Sequence, residues 1–141
     1  MKILTAVLII LLTACVSNPT KTEPASYLKY INANSFDQRL SVAMEQETPE
    51  IEIGILSPFS SNNIPERLDN WLSAINENGG KVKPKPADGE RIIESLKIIL
   101  GNIYQDFTRY APAKNYSVAE LIYRRNESGE AMIEKIILKK R

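Results

Sequence analysis

Residues 57–63 are the stretch whose side chains and position best suit ligand binding. Ser57, Ser60, Ser61, Asn62 and Asn63 supply hydroxyls and amides there. The stretch falls between the end of a predicted strand and the start of a predicted helix, where free backbone N–H groups favour an anion. Serine and asparagine are also ordinary turn and capping residues, and the glycine spacing of a phosphate loop is missing. The sequence therefore leaves two interpretations open, a ligand or anion loop and a structural turn.

Two pairs of carboxylates, Glu45 with Glu47 and Glu50 with Glu52, are the candidates for acid–base chemistry. In an extended chain the members of each pair face the same side. Paired acids can divide general-acid and general-base work when their environments separate their pKa values. A solvated strand face produces the same pattern, so a glycosidase is the weaker interpretation.

The chain contains no histidine, and Cys15 is its single cysteine. It therefore cannot build a His/Cys zinc site, a Ser–His–Asp or Cys–His nucleophile, or an intramolecular disulfide. Ser26 and Lys29 fit the Ser-x-x-Lys motif of penicillin-binding enzymes, but the Lys-Thr-Gly and Ser-Asp-Asn motifs that accompany it are absent. We predict no catalytic residue, no metal and no cofactor.

Cys15 closes an N-terminal segment with the layout of a secretory signal peptide. Lys2 precedes an apolar stretch that runs from Ile3 to Leu12 and ends in Thr13-Ala14. A stretch of about ten residues is too short to span a bilayer, which takes roughly 20. The sequence Leu-Thr-Ala-Cys resembles the lipobox of bacterial lipoprotein precursors. The alternatives are a conventional signal peptide with an incidental cysteine and a short uncleaved anchor.

The resemblance covers only residues 1–15 and implies cleavage before Cys15 and acylation of that residue, palmitate included. Several acyl chains, at ~0.8 kcal/mol per buried CH₂, would make the attachment to membrane lipid effectively permanent. Val16 stands where an aspartate commonly signals retention in the inner membrane, which favours the outer membrane, facing the periplasm, in a Gram-negative cell. We therefore predict a signal peptide over 1–14, a lipidated N-terminus and flexible tether over 15–34, and one domain over 35–141. The polar residues 16–26 would reach about 20 Å as a random coil.

Composition predicts a folded and electrically neutral domain. The chain has 141 residues, of which 43% are hydrophobic and 25% charged, close to ordinary globular values. Cleavage would remove one of the 18 bases, Lys2, and leave 17 against 17 acids. Because nucleic-acid binders normally carry a basic excess, we expect no nucleic-acid partner.

The first half of the predicted domain contains one ambiguous segment, residues 35–46. Phe36, Leu40 and Met44 recur at helical spacing, whereas Leu40, Val42 and Met44 also alternate as in a strand. A possible capping box formed by Ser35 with Gln38 favours a helix. Residues 50–56 predict a strand, followed by a loop over 57–62.

The second half alternates predicted helices and strands. Asn63 and Pro65 indicate the start of a helix that ends at Gly79-Gly80, and residues 81–83 predict a short edge strand. Asp88 is a candidate cap for a long core helix reaching Phe107. Residues 116–125 and 131–140 predict a hairpin. We expect an α+β fold with a small mixed sheet, two or three helices packed on one face, and a C-terminal β-hairpin.

The predicted function follows from the anchor and from the missing catalytic groups. We expect a non-enzymatic accessory or interaction domain that binds another envelope component, most simply a protein. Aromatic side chains anchor many interfaces, so Phe59, Tyr110 and Tyr116 are the candidate partner contacts. The alternative for the tyrosines is the commoner one, in which the ring packs at the margin of the core. The cluster Lys139, Lys140 and Arg141 either guards a strand edge or meets an acidic partner or anionic lipid. The alternative is a small envelope enzyme or ligand-binding protein that uses residues 57–63.

Overall fold

The computed structural model describes residues 26–89, 96, 98–101 and 108–141. They form a five-stranded sheet in the order β1-β2-β5-β4-β3, accompanied by two α-helices and one 3₁₀ helix within the described ranges. The strands are β1 (Tyr27–Lys29), β2 (Glu50–Ser60), β3 (Lys81–Pro86), β4 (Tyr116–Arg125) and β5 (Ala131–Lys140). The helices are α1 (Asn34–Glu45) and α2 (Glu66–Glu77), and the 3₁₀ helix spans Ala111–Asn115. The architecture is α+β, as the sequence predicts.

The sheet is mixed in direction. β1 runs parallel to β2 and β3 parallel to β4, whereas β5 runs antiparallel to both of its neighbours. β4 and β5 are joined by a turn in which the Asn126 side chain accepts the N–H groups of Ser128 and Glu130, at 3.0 and 2.9 Å. Gly129 takes a φ of 80° in this turn, a conformation that glycine adopts without steric cost.

One face of the sheet supplies half of the hydrophobic core. Ile51, Ile53 and Ile55 alternate along β2 into a cluster shared with both helices, because side chains two residues apart in a strand lie on the same face. Trp71 is the largest fully buried side chain of that cluster and is 2% exposed. The other face of the sheet is therefore left for the intervening, mostly polar, side chains.

Helix α1 settles the ambiguity of residues 35–46. Phe36, Leu40 and Met44 follow one another at intervals of four residues and are at most 1% exposed. Val42, which a strand would bury beside Leu40, is 50% exposed. The predicted helix is confirmed, but its predicted capping box is wrong: Ala33 is the N-cap without a side-chain cap bond, and Ser35 lies in the first turn.

Helix α2 ends where the sequence predicts but begins later in the chain than predicted. Gly79 adopts a φ of 84°, and the Gly80 N–H donates to the Ile75 carbonyl at 2.9 Å, in the pattern of a Schellman motif. The predicted start with Asn63 as N-cap is wrong, because the N-cap is Pro65. Residues 61–63 form a turn after β2, and residues 64 and 65 are irregular before the helix starts at Glu66.

Strand β2 is longer than predicted and carries a bulge. Residues 57–60, predicted as part of a loop, belong to the strand, where Phe59 and Ser60 pair with Ile133 and Met132 of β5. The register between Gly54 and Phe59 shifts, since β2 takes more residues than β5 to cover the same distance.

Only part of the predicted helix from Asp88 to Phe107 falls on residues that the structure describes. Residues 90–95, 97 and 102–107 lie outside the described ranges. Asp88 sits in a turn, and residues 96 and 98–101 are not helical. Leu96, Ile98 and Leu100 pack partly against the core, whereas Ile99 is 71% exposed. At these residues the helix prediction is wrong, because an alternating apolar run fits an extended chain as well as a helix.

The folded body includes part of the predicted tether. Tyr27–Lys29 form the edge strand β1, and Leu28 is 4% exposed within the core. The predicted tether, residues 15–34, therefore extends too far into the chain. Residues 1–25, with Cys15 and the predicted signal peptide, lie outside the described part. Within the described residues, no helix is long and apolar enough to cross a membrane.

Candidate functional site

The predicted loop residues form the end of a strand and a tight turn. Ser57 and Ser60 belong to β2, and Ser61 is 3% exposed with its N–H donating to the Ala131 carbonyl at 3.0 Å. The Asn62 N–H donates to the Ser60 hydroxyl at 3.1 Å and the Asn63 N–H to the Ser60 carbonyl at 3.0 Å. The N–H groups of Ser61, Asn62 and Asn63 are therefore used within the protein.

Two of the three predicted partner contacts are buried. Tyr110 is 5% exposed and Tyr116 is fully buried, so neither offers its ring to a partner; Phe59 packs partly against the core. The Tyr116 hydroxyl donates to the Thr48 carbonyl at 2.6 Å. Burial, with a smaller contribution from the charge of Glu47, raises the pKa of Tyr116 to about 12. These tyrosines fill the core with their rings, as tyrosine commonly does.

The carboxylate pairs do not assemble into an acid–base site. Glu45 ends α1, and Glu47 lies beyond it with its carboxylate 3.3 Å from Lys140. Glu50 and Glu52 share one face of β2, where Glu52 lies 3.3 Å from Lys135. Glu47 and Glu52 are thus each paired with a partly exposed lysine, as on a solvated surface.

Asp37 is the buried charged residue among those that the structure describes. It is 5% exposed, lies in the first turn of α1, and accepts the Trp71 indole N–H at 2.9 Å. Its second carboxylate oxygen accepts a hydrogen bond from Arg67 of α2, and Arg109 lies 3.9 Å from the same oxygen. No local sequence motif predicts this centre. The available signal was an acid on the stripe that also carries Leu40, where a helix facing a core has apolar residues.

The guanidinium of Arg67 donates hydrogen bonds to three side chains. Its Nε donates to the Asn32 side chain at 3.2 Å, and its Nη1 donates to the Asn34 side chain at 3.4 Å as well as to Asp37. One helical turn further along α2, the Trp71 ring meets the Tyr110 ring edge-on, with the ring centres 4.8 Å apart. This packing and the polar contacts fix α1, α2 and the segment around residue 110 to one another.

A cavity of about 370 Å³ opens beside Arg67. We call it the arginine cleft, and it is lined by Asn32, Pro65, Glu66, Arg67, Asn70, Arg109 and Tyr110. A second hollow of about 530 Å³ lies on the α1 side of Arg109 and includes Asp37 and Thr108. Arg109, whose side chain is 49% exposed, lines both.

The sheet face that points away from the core is rich in lysine. Lys85 and Lys139 both approach Glu120, at 3.5 and 3.1 Å, which shows that these three side chains of β3, β5 and β4 share that face. The strand register adds the residues that complete what we call the lysine face: Lys81, Lys83, Lys135, Glu50, Glu52, Val118, Ile122 and Ile137. Burial of Glu120 opposes its charged form, but the hydrogen bonds and charges of Lys139 and Lys85 outweigh burial and lower its pKa.

No protein family, curated protein or solved structure matches this chain.

The outer edge of β3 is blocked against pairing with another strand. The Ala87 N–H donates inward to the Tyr123 carbonyl at 2.9 Å, so alternation turns the backbone groups of Val82, Pro84 and Pro86 outward. Proline has no N–H, and two of these three positions therefore offer no donor. This edge is therefore poorly suited to pairing with another strand.

Metal-binding chemistry finds no support in the described ranges, where no group of three or more Asp, Glu, His or Cys side chains comes together.

Proposed function

We propose that this protein is a lipid-anchored, non-enzymatic component of the bacterial cell envelope that binds an acidic surface of another envelope protein. The anchor would be Cys15, and the location the outer membrane, facing the periplasm, in a Gram-negative cell. The lysine face carries the binding part of this proposal. Among the described residues, α1 and α2 pack on the opposite side of the sheet, and Lys81, Lys83 and Lys85 are exposed on this face.

The lysine face carries more positive than negative charge, with five lysines and three glutamates. Lys135 is paired with Glu52, whereas Glu120 is shared by Lys85 and Lys139. Lys81 and Lys83 are exposed and have no acidic partner among the described residues. A cationic excess of this kind attracts an acidic surface and favours correctly oriented encounters.

The pattern of the lysine face favours a protein over a lipid surface. Val118 and Ile137 are half-buried and Ile122 is 7% exposed, so an apolar centre lies among the charged side chains. An apolar centre with a polar rim is the usual composition of a protein interface. A tether that reaches about 20 Å would also hold this face clear of the lipid headgroups.

In-cell crosslinking followed by affinity capture of the full-length protein from native membranes tests the partner. Lys83→Glu on the lysine face should reduce the yield of a reproducibly crosslinked protein. Lys114→Glu, at an exposed position in the 3₁₀ helix, makes the same change in charge elsewhere and should leave the yield unchanged. Equal yields from both variants would contradict the proposed surface, and recovery of lipid without protein would contradict the proposed partner class.

The anchor is tested separately with Cys15→Ser. This variant cannot be acylated on its thiol and should leave the membrane fraction under conditions that retain the unaltered protein. Firm membrane attachment of the serine variant would overturn the lipoprotein assignment without affecting the surface test.

A further inference from the structure

We propose that the arginine cleft is a binding site for the carboxylate or phosphate group of a small ligand. The site uses none of the residues of the lysine face and does not depend on the lipid anchor. It therefore adds a ligand-binding role to the protein-binding role proposed above.

The donors that line the cleft match an oxyanion. Arg67 and Arg109 contribute guanidinium groups, whose planar N–H forks fit carboxylate and phosphate, and Asn32 and Asn70 contribute amides. The Arg67 contacts to Asn32, Asn34 and Asp37 use its Nε and Nη1. Its Nη2 makes no hydrogen bond to another described residue.

The cleft is organised before a ligand arrives. Asp37 is buried and bonded to Trp71 and Arg67, so its charge orients the guanidinium while its own oxygens are occupied. A donor held in place loses little conformational freedom on binding. The cavity of about 370 Å³ is within the range of small-molecule sites.

A second observation concerns Tyr30, which does not line the cleft but is influenced by the charges of Arg67 and Asp37. The Tyr30 hydroxyl is the buried side-chain atom in the described ranges that lacks a hydrogen-bond partner. It lies within electrostatic reach of the pair: burial raises the Tyr30 pKa, the charge of Arg67 opposes that rise and the charge of Asp37 adds to it. Buried polar groups normally have partners.

Glu66 is the carboxylate that competes with a ligand at the cleft. It is the first residue of α2, it is exposed, and it lines the same cavity as the two arginines. Its charge repels an incoming anion, and Arg109 attracts one. Neutralising each residue in turn should therefore change the affinity in opposite directions.

Fluorescence of Trp71, the only tryptophan in the chain, provides the measurement. The full-length protein in detergent is titrated with sodium phosphate and, separately, with sodium acetate, while sodium chloride keeps the ionic strength constant. We expect a saturable change with at least one anion, because Trp71 is bonded to Asp37 and packed against Tyr110. The anion that saturates at the lower concentration identifies the ligand class as phosphate or carboxylate.

Three variants decide between a site and a general salt effect. Arg109→Gln should raise Kd roughly fivefold, and Glu66→Gln should lower it roughly threefold, the size expected for one charge near a partly exposed ligand. Arg124→Gln, which removes an exposed arginine paired with Glu134 on the sheet, should leave Kd unchanged. A linear response to both anions, or identical curves for all proteins, would overturn the proposal. If Arg109→Gln fails to fold, the exposed Glu66→Gln variant still gives the deciding comparison.

Discussion

The indole N–H of Trp71 on α2 donates to the carboxylate of Asp37 on α1, with Nε1 and Oδ1 2.9 Å apart. This bond joins two helices whose residues are more than thirty positions apart in the chain. The carboxylate also holds Arg67, so one acid links the packing of the helices to the geometry of the arginine cleft.

Removing the Asp37 carboxylate should destabilise the fold. Asp37→Ala leaves Arg67 and the Trp71 N–H without their acceptor, and loss of one partner of a buried ion pair costs about 3–5 kcal/mol. Asp37→Asn keeps an acceptor for Trp71, and we expect it to cost about 1.5–3 kcal/mol. Urea unfolding followed by Trp71 fluorescence measures both. Glu127→Gln in the exposed β4–β5 turn is the control, and a stability of Asp37→Ala equal to that control would refute a structural role for the carboxylate.

The two periodicities of residues 35–46 make different predictions for adjacent positions. Leu40→Ala should cost about 2–5 kcal/mol, because Leu40 is fully buried in the core. Val42→Ala should change the free energy of unfolding by about 0.5 kcal/mol or less, since Val42 is 50% exposed. Chemical denaturation of the two variants provides the comparison. Similar losses would indicate that both residues are buried, as in the strand interpretation.

Gly80 and Gly129 differ in the reason that each must be glycine. A Cβ on Gly80 would lie 2.6 Å from Ile75 Cγ2 and 2.8 Å from the Ile75 carbonyl oxygen, whereas a Cβ on Gly129 would meet nothing within 4 Å. Gly129 has a φ of 80°, so an alanine there carries only the backbone cost of about 1–2 kcal/mol. We expect Gly80→Ala to lower the midpoint of thermal unfolding more than Gly129→Ala. The reverse order would contradict the close packing at the end of α2.

Elements that depend on local residue spacing can be predicted from this sequence. Elements that depend on pairing between distant strands cannot. Phe36, Leu40 and Met44 mark α1, and Gly79-Gly80 ends α2, because each signal lies within a few residues. By contrast, residues 57–60 have the composition of a loop, and they join β2 because Phe59 and Ser60 pair with the distant β5. The run from Leu96 to Leu100 fits two periodicities, and tertiary contacts decide between them.

The candidate sites could not be predicted from the sequence, because tertiary contacts bring their residues together. Asp37, Arg67 and Arg109 are far apart in the chain, and no local motif connects them. The lysine spacing of residues 81–85 was visible in the sequence, but its register with Glu120 and Lys139 depends on the order of the strands. Burial of Tyr110 and Tyr116 likewise follows from tertiary packing, whereas their position in a link between elements is compatible with both core packing and partner contact.

Tyr116 should make the fold sensitive to alkaline pH. Its pKa is raised from 10.0 to about 12 in the folded protein, so the folded state retains a proton that the unfolded state releases. The corresponding stability is complete below pH 10.0 and is lost as pH rises through about 12. Tyr116→Phe lacks the titrating hydroxyl and should lose less stability than the unaltered protein between these two values. At neutral pH the same variant should be less stable by about 1 kcal/mol, because the hydrogen bond to the Thr48 carbonyl is gone. Urea unfolding at a series of pH values, followed by circular dichroism, measures both effects, and parallel pH profiles for the two proteins would exclude Tyr116 as the source of the alkaline sensitivity.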